Sequence, residues 1–263
     1  MPRRFFTCCL CGLLACLAWP AAVLAQAEPL RVAAAADLKY ALDQVVAAFQ
    51  SARPDRRVDV TYGSSGKFST QIRQGAPFDL FFSADVVFPR ELVADGHAVA
   101  PVTLYARGRL VLWTPGRESA TLDLSVLTQP GIQRIAMANP RHAPYGKRAE
   151  EALRAAGLWE TVQSRLVFGE NIAQATQFVQ SGNAQAGLIA LSLVMVPGVA
   201  DARHYRLLPE TLHAPLDQGY VLTRRGQNNV NAREFAEFVR SPGAQAILSR
   251  FGFVSPLSPA GRP

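Results

Sequence analysis

The sequence predicts an α/β protein built on parallel, doubly wound sheets. Short apolar runs typical of buried strands alternate with amphipathic helical stretches, and the same alternation recurs in the second half of the chain. With 263 residues, the chain is long enough for two domains. We therefore expect two α/β units whose ligand-binding loops lie beyond the carboxyl ends of the strands.

The first half shows a β-α-β-α-β rhythm. Its first helix carries Leu38, Leu42, Val45 and Phe49 at helical spacing, so one face is apolar. The third strand contains the apolar pair Phe81-Phe82, which we expect to be buried. The elements predicted in order are strand 30–36, helix 38–51, strand 57–62, a helix ending near residue 75, strand 79–83 and helix 88–95.

The second half repeats this alternation of strands and helices after the break at Gly108. It then ends in a return strand and two closing helices. The elements predicted in order are strand 110–113, strand 135–138, helix 147–156, strand 166–168, helix 173–179, strand 186–190, strand 219–222, helix 231–240 and helix 242–251.

The N-terminus has the pattern of a secretory signal. Residues 1–4 are basic, residues 5–17 are apolar, and Ala25-Gln26-Ala27 is an A-x-A cleavage site. All four cysteines lie within this segment, so the mature chain has no disulfide and no cysteine metal site. We expect a signal peptide over residues 1–27 and a periplasmic protein, with lipid anchoring at Cys16 as the alternative.

Charge and motifs exclude several function classes. The formal net charge is +7, but the basic residues are scattered, apart from Arg224-Arg225, so we expect no nucleic-acid partner. None of the four histidines has a zinc-ligand spacing, and the chain has no nucleophile elbow and no Walker A motif. These absences favour binding over catalysis.

Small residues and serines occupy the junctions between predicted strands and helices. Gly63-Ser64-Ser65-Gly66 is the clearest case, because glycines allow close backbone approach and a helix start exposes unpaired N–H donors. The helix dipole adds positive potential at such a start. Ala35-Ala36-Asp37, residues 143–146 and residues 170–173 are similar junctions. Neutral donors without a cationic side chain suit a fully ionised tetrahedral dianion.

Several strings resemble the periplasmic molybdate-binding proteins of ABC importers, in order over residues 30–254. The most specific is Gly75-Ala76-Pro77-Phe78-Asp79-Leu80-Phe81-Phe82-Ser83-Ala84-Asp85. The others are residues 34–42, Gly63-Ser64-Ser65-Gly66, Gln71-Ile72, Asn139-Pro140, Ala143-Pro144-Tyr145-Gly146 and Arg250-Phe251-Gly252-Phe253.

The resemblance implies a type II-like periplasmic-binding-protein fold, in which crossover strands join two α/β lobes. Lobe I would comprise residues 28–108 and 220–258, lobe II would comprise residues 109–219, and residues 259–263 would form a tail. It further implies a monomer that is not an enzyme, captures molybdate and also tungstate, and delivers the oxyanion to a membrane permease. Molybdenum would be held only as the oxyanion, with no cofactor and no direct protein–metal bond.

The resemblance also implies a set of ligand-binding residues. Ser65 would donate its hydroxyl and its N–H, and Ser64 is a possible further contact. Main-chain donors would come from Ala36 and Asp37 on one lobe. The N–H groups of Tyr145 and Ile172 would come from the other lobe.

Two residues depart from a common version of the family pattern, because Asp37 and Ala190 replace a serine and a tyrosine. A carboxylate facing a dianion is repulsive. We therefore expect the Asp37 side chain to turn back and cap its own helix, leaving only its N–H for the ligand.

Two alternatives stay open from the residues themselves. An exported hydrolase would use Ser65 as its nucleophile and would need a general base near that loop. A binding protein for another small anion, such as a carboxylate, would need a cation, for which Lys67 and Arg141 are the near candidates. His142 beside the second-lobe loop is expected to be a solvated surface residue, and Asp79 and Asp85 are expected to be structural caps.

Overall fold

The computed structural model describes residues 28–255. The predicted signal peptide, Cys16 and the tail at 259–263 therefore lie outside the described residues. Within the described range, no helix combines the length and the apolar character that crossing a membrane requires.

The described residues form two five-stranded sheets flanked by helices. The strands are β1 (Leu30–Ala35), β2 (Val58–Gly63), β3 (Leu80–Ser83), β4 (Ala98–Gly108), β5 (Leu110–Trp113), β6 (Ile135–Ala138), β7 (Leu166–Gly169), β8 (Ala186–Ala190), β9 (Tyr205–Leu207) and β10 (Leu216–Thr223). The helices are α1 (Lys39–Ala52), α2 (Ser65–Arg73), α3 (Val87–Ala94), α4 (Pro144–Ala155), α5 (Trp159–Val162), α6 (Ile172–Gln180), α7 (Leu191–Val194), α8 (Val230–Val239) and α9 (Pro242–Arg250). A 3₁₀ turn, Ala36–Leu38, joins β1 to α1.

Each sheet has a parallel centre and antiparallel additions. The first has the order β2-β1-β3-β10-β4, in which β2 and β3 run parallel to β1 and β10 runs antiparallel to both β3 and β4. The second has the order β7-β6-β8-β5-β9, with β7 and β8 parallel to β6 and with β5 antiparallel to β8 and β9. This confirms the predicted pair of α/β lobes.

Strand β4 was not predicted from the sequence. It lies at the edge of the first sheet, and most of its residues are exposed or half-buried, unlike those of the central strands. It also contains Pro101, which lacks an N–H and is tolerated at sheet edges. An edge strand of this kind gives little periodic signal.

The chain passes between the sheets twice. Only Arg109 separates the end of β4 from the start of β5, and the return runs from β9 into β10. We keep the lobe boundaries at 108/109 and 219/220 as a proposal. Leu216, at the start of β10, pairs with Gly108 of β4, so the pairing of the return strand with the first sheet begins before the second of these boundaries.

Two principal cores fill the space between the sheets and their helices. In the first lobe, aromatic rings pack edge to face: Phe82 contacts Tyr105, and Phe49 contacts Phe235. Phe81 and Phe82 are both buried, as predicted. These cores hold the parallel strands rigidly, so the loops after them are fixed in position.

The first turn of α4 lies directly against the end of β6. A Cβ atom at Gly146 would stand 2.1 Å from the carbonyl oxygen of Ala138, so only glycine fits. Gly243 also lies in the first turn of a helix, directly after the N-terminal proline of α9, but a Cβ there would meet nothing within 4 Å.

We expect Gly146→Ala to lower the free energy of unfolding by about 1–3 kcal/mol, because the new methyl group overpacks a backbone contact. The matched control Gly243→Ala should raise it by about 0.5–1 kcal/mol, since alanine favours an open helical site. Urea denaturation measures both. Equal effects of the two substitutions would contradict the packing argument.

Candidate functional site

Four helical turns begin where parallel strands end, and they meet at one small pocket. The turn at Ala36 follows β1 and α2 follows β2 in one sheet, while α4 follows β6 and α6 follows β7 in the other. The edges of the two sheets face each other across this pocket. All six residues predicted to bind or possibly bind the ligand line it: Ala36, Asp37, Ser64, Ser65, Tyr145 and Ile172.

Ser65 is the first residue of α2 and is fully buried. Its Oγ accepts a hydrogen bond from the N–H of Ala84 at 3.0 Å. Because that bond uses an oxygen lone pair, the hydroxyl hydrogen is left to donate to another acceptor. The Ser65 N–H, at a helix start, has no acceptor one turn earlier.

The second sheet supplies donors of the same kind. In α4, Pro144 has no N–H, so Tyr145 provides the first donor of that helix. In α6, Asn171 caps the helix by accepting the N–H of Gln174 at 3.0 Å, and Ile172 follows it as the first helical residue. The donors are therefore fixed by helix geometry before any ligand arrives.

The pocket has no positive side chain among its described lining residues. Lys67, one candidate cation, forms an ion pair with Glu170 at the surface, and Arg141 lines a separate, more open cleft. Asp37 is the single acidic side chain among the described lining residues. Attraction for an anion here arises from N–H and O–H dipoles.

Asp37 is buried, and its carboxylate Oδ2 accepts a hydrogen bond of 2.6 Å from Nε2 of Gln218 on β10. Burial raises the pKa of Asp37 to about 6, although the hydrogen bond from Gln218 and the nearby polar groups of Tyr145 and of the Asp37 and Leu38 backbone act in the opposite direction. The expectation that Asp37 caps its own helix is wrong, because neither the 3₁₀ turn nor α1 has a side-chain cap hydrogen bond. The carboxylate is held by β10 instead.

Gln218 was not predicted from the sequence. It is fully buried, and its Oε1 accepts a hydrogen bond of 2.6 Å from the Tyr105 hydroxyl on β4. Its Nε2 also lies 3.4 Å from the Tyr145 hydroxyl on α4. The signal in the sequence was a lone amide next to the apolar run of the return strand.

Direct contacts between the two lobes surround the pocket. Ser64 Oγ lies 2.9 Å from His142 Nδ1 and also donates to the His142 carbonyl oxygen, which accepts the Gly66 N–H at 2.9 Å. The expectation of a solvated surface histidine is therefore wrong: His142 is half-buried against the first lobe. Burial, with the charge of Lys67, lowers the pKa of His142.

A buried ion pair forms a second contact between the lobes. Arg148 of α4 donates to Asp85 at 2.8 Å, and the two side chains are only 8% and 10% exposed. The other carboxylate oxygen of Asp85 accepts the Val87 N–H at 3.0 Å, so Asp85 does cap a turn as predicted. Asp79 is structural, accepting the N–H of Arg31.

Ala190 ends β8, and two residues later Ser192 donates its hydroxyl to the carbonyl oxygen of Asp37 at 2.8 Å. This bond ties the second lobe to the turn that carries Asp37.

The hydrolase alternative placed its nucleophile at Ser65. The Ser65 hydroxyl contacts the Ala84 N–H and no general base, so nothing in residues 28–255 supports its use as a nucleophile. The same range contains no group of three histidine, cysteine or acidic residues able to hold a metal ion.

The sequence and the fold were compared with those of known proteins. The family model for bacterial extracellular solute-binding proteins matches residues 30–254. The molybdate-binding protein ModA of Rhodobacter capsulatus is 36% identical over 201 residues, covering 75% of this chain and 77% of that protein. ModA of Azotobacter vinelandii is 34% identical over 243 residues, covering 92% and 93% respectively.

The solved structure of the Azotobacter vinelandii periplasmic molybdate-binding protein superposes with a TM-score of 0.80 at 31% identity, covering 86% of this chain and 99% of that one. The match therefore extends across both lobes and the crossings between them. On the evidence of its sequence and its fold, this chain belongs to the bacterial extracellular solute-binding protein family.

Proposed function

We propose that this protein captures molybdate in the pocket between its lobes and delivers it to the membrane permease of an ABC importer. The relatives named molybdate-binding proteins support this function over most of the chain. The observation that carries it is the convergence of helix starts from both sheets, with the Ser65 hydroxyl, on a pocket whose described lining residues include no cation. The proposal includes tungstate as a second ligand, export to the periplasm by residues 1–27, action as a monomer and no catalysis.

Molybdate suits these donors because it is a tetrahedral dianion that only accepts hydrogen bonds. Each N–H or O–H that points at one of its oxygens forms a charge-assisted bond. The donors of Ala36, Asp37 and Ser65 would approach from one lobe, and those of Tyr145 and Ile172 from the other. Because both lobes contact the anion, binding would favour the closed arrangement.

Calorimetric titration of the mature protein with molybdate, tungstate, sulfate and phosphate tests this function. We expect tight, stoichiometric binding of molybdate and tungstate, and much weaker binding of sulfate, because a pocket fitted to the larger anion leaves a smaller one without full contact. Tight binding of another anion, with none of molybdate, would overturn the proposal.

We expect Ser65→Ala to weaken molybdate binding by about 1.5–3 kcal/mol, the range for a hydrogen bond to a charged group. The matched control is Ser51→Ala, which removes an exposed hydroxyl that bonds to Ala47 on α1. The control should bind molybdate as the wild type does. An unchanged affinity in Ser65→Ala would show that the α2 start does not hold the ligand.

The Asp85–Arg148 pair would stabilise the closed lobes without touching the anion. Losing one partner of a buried pair costs about 3–5 kcal/mol, because the other charge stays buried. We expect Arg148→Met to weaken molybdate binding by about 1–3 kcal/mol, the part of that cost borne only by the closed arrangement.

Arg154→Met is the control, since Arg154 lies on the same helix but is 52% exposed. Losing its surface ion pairs should change the free energy of molybdate binding by less than about 1 kcal/mol. Titration calorimetry measures both variants. Equal affinities in the two variants would contradict the role given to the buried pair.

A further inference from the structure

Asp37 places a carboxylate where the proposed ligand carries its charge. The side chain is 1% exposed and lines the pocket. Oδ2 is held by Gln218, while Oδ1 has no hydrogen-bond donor in acceptable geometry among the described residues. One oxygen of a buried acid is thus left without a partner beside an anion pocket.

The groups that face Asp37 are neutral. The 3₁₀ turn that carries it packs near β2, α6 and α7, and polar side chains from β4, α4 and β10 complete its surroundings. The facing polar side chains are Ser64 and Ser65 at the start of α2, Tyr105 from β4, Tyr145 from α4, Asn171 at the start of α6, Ser192 from α7 and Gln218 from β10.

The two tyrosines near Asp37 are also uncharged near neutral pH. Burial and the adjacent Asp37 raise the pKa values of Tyr105 and Tyr145 well above the ordinary phenol range, so both stay protonated. Charged or titrating groups beside the lining residues include His142, Lys67 and Glu170, which interact with one another, and the Asp85–Arg148 ion pair. No cation among the described lining residues compensates an ionised Asp37.

Bringing a dianion into this pocket therefore sets negative charge against negative charge in a poorly solvated place. Protonating the carboxyl removes the repulsion and turns Oδ1 from an acceptor into a donor. We propose that capture of the oxyanion is coupled to the uptake of one proton by Asp37, whose carboxyl O–H then donates a hydrogen bond toward the ligand. The inference rests on the proposed function of the same site.

The proton balance is simple. One proton moves from solvent to Asp37 on binding and returns to solvent on release, and no bond of the oxyanion breaks. With the pKa of Asp37 at about 6 before binding, the acid is ionised at pH 7–8 in the free protein. A bound dianion raises that pKa further, so each binding event in this pH range takes up about one proton.

Molybdate titrations of the full mature protein at pH 6.5–8.5, in buffers with different ionisation enthalpies, measure this uptake directly. We expect about one proton per molybdate near pH 7.5, and a Kd that rises toward tenfold per pH unit above pH 7. Asp37→Asn keeps a side-chain donor without a titrating group. It should take up no proton, show a flat Kd and bind more tightly than the wild type at pH 8.5.

His142→Gln is the control for the other titrating group near the pocket, and it should keep the wild-type pH slope. If the wild type binds molybdate with a Kd that does not change with pH and without proton uptake, the coupling is overturned and the proposed function stays intact. Tight binding of hydrogen phosphate in place of molybdate, lost in Asp37→Asn, would overturn both, because the ionised Asp37 would then accept a hydrogen bond from the protonated oxygen of the ligand. Failure of every anion to bind at any pH would also overturn both.

A measurement without ligand examines the same carboxyl. Because the pKa of Asp37 is raised on folding, stability is highest when the acid is protonated and is lost as pH rises from about 4 to about 6. The urea midpoint of the wild type should fall over that range relative to Asp37→Asn. Parallel pH profiles would show that Asp37 does not titrate as a buried acid, which also overturns the coupling.

Discussion

The site depends on one constraint: a helix start leaves backbone N–H groups without acceptors, and four such starts are held at one point. Neither a single turn nor a single lobe collects enough donors to replace the water around a dianion. The parallel strands β1 and β2 bring two starts together, and β6 and β7 bring the other two. The close contact at Gly146 and the two cores fix these strands and turns, so the donors do not need to be ordered at the moment of binding.

Because the donors are neutral, they cannot compensate a negative side chain beside a bound anion. Asp37 is the one acidic side chain among the described lining residues. Its carboxylate is connected through Gln218 to Tyr105, so a buried polar chain runs from the first turn to the crossing strands. The Ser192 hydroxyl holds the carbonyl oxygen of Asp37 from the second lobe. These hydrogen bonds therefore connect the Asp37 turn of the pocket with both lobes.

Much of this could be predicted from the sequence, because the relevant patterns are local. The apolar runs and helical spacing predicted the parallel strands and their helices, and the small-residue junctions indicated which turns meet. Strand β4 escaped prediction because an edge strand with a proline has no apolar period. Gln218, His142 and Arg148 act through partners far along the chain, and no local pattern encodes such contacts.

The narrow crossing at Gly108 has a mechanical consequence. A Cβ atom there would stand 2.1 Å from the Tyr145 hydroxyl and 2.7 Å from Nε2 of Gln218, and β5 begins just beyond Arg109. The crossing between the lobes and the polar side chains next to Asp37 thus lie within a few ångströms of each other. A rotation of one lobe against the other at this crossing would therefore also shift the groups that surround Asp37.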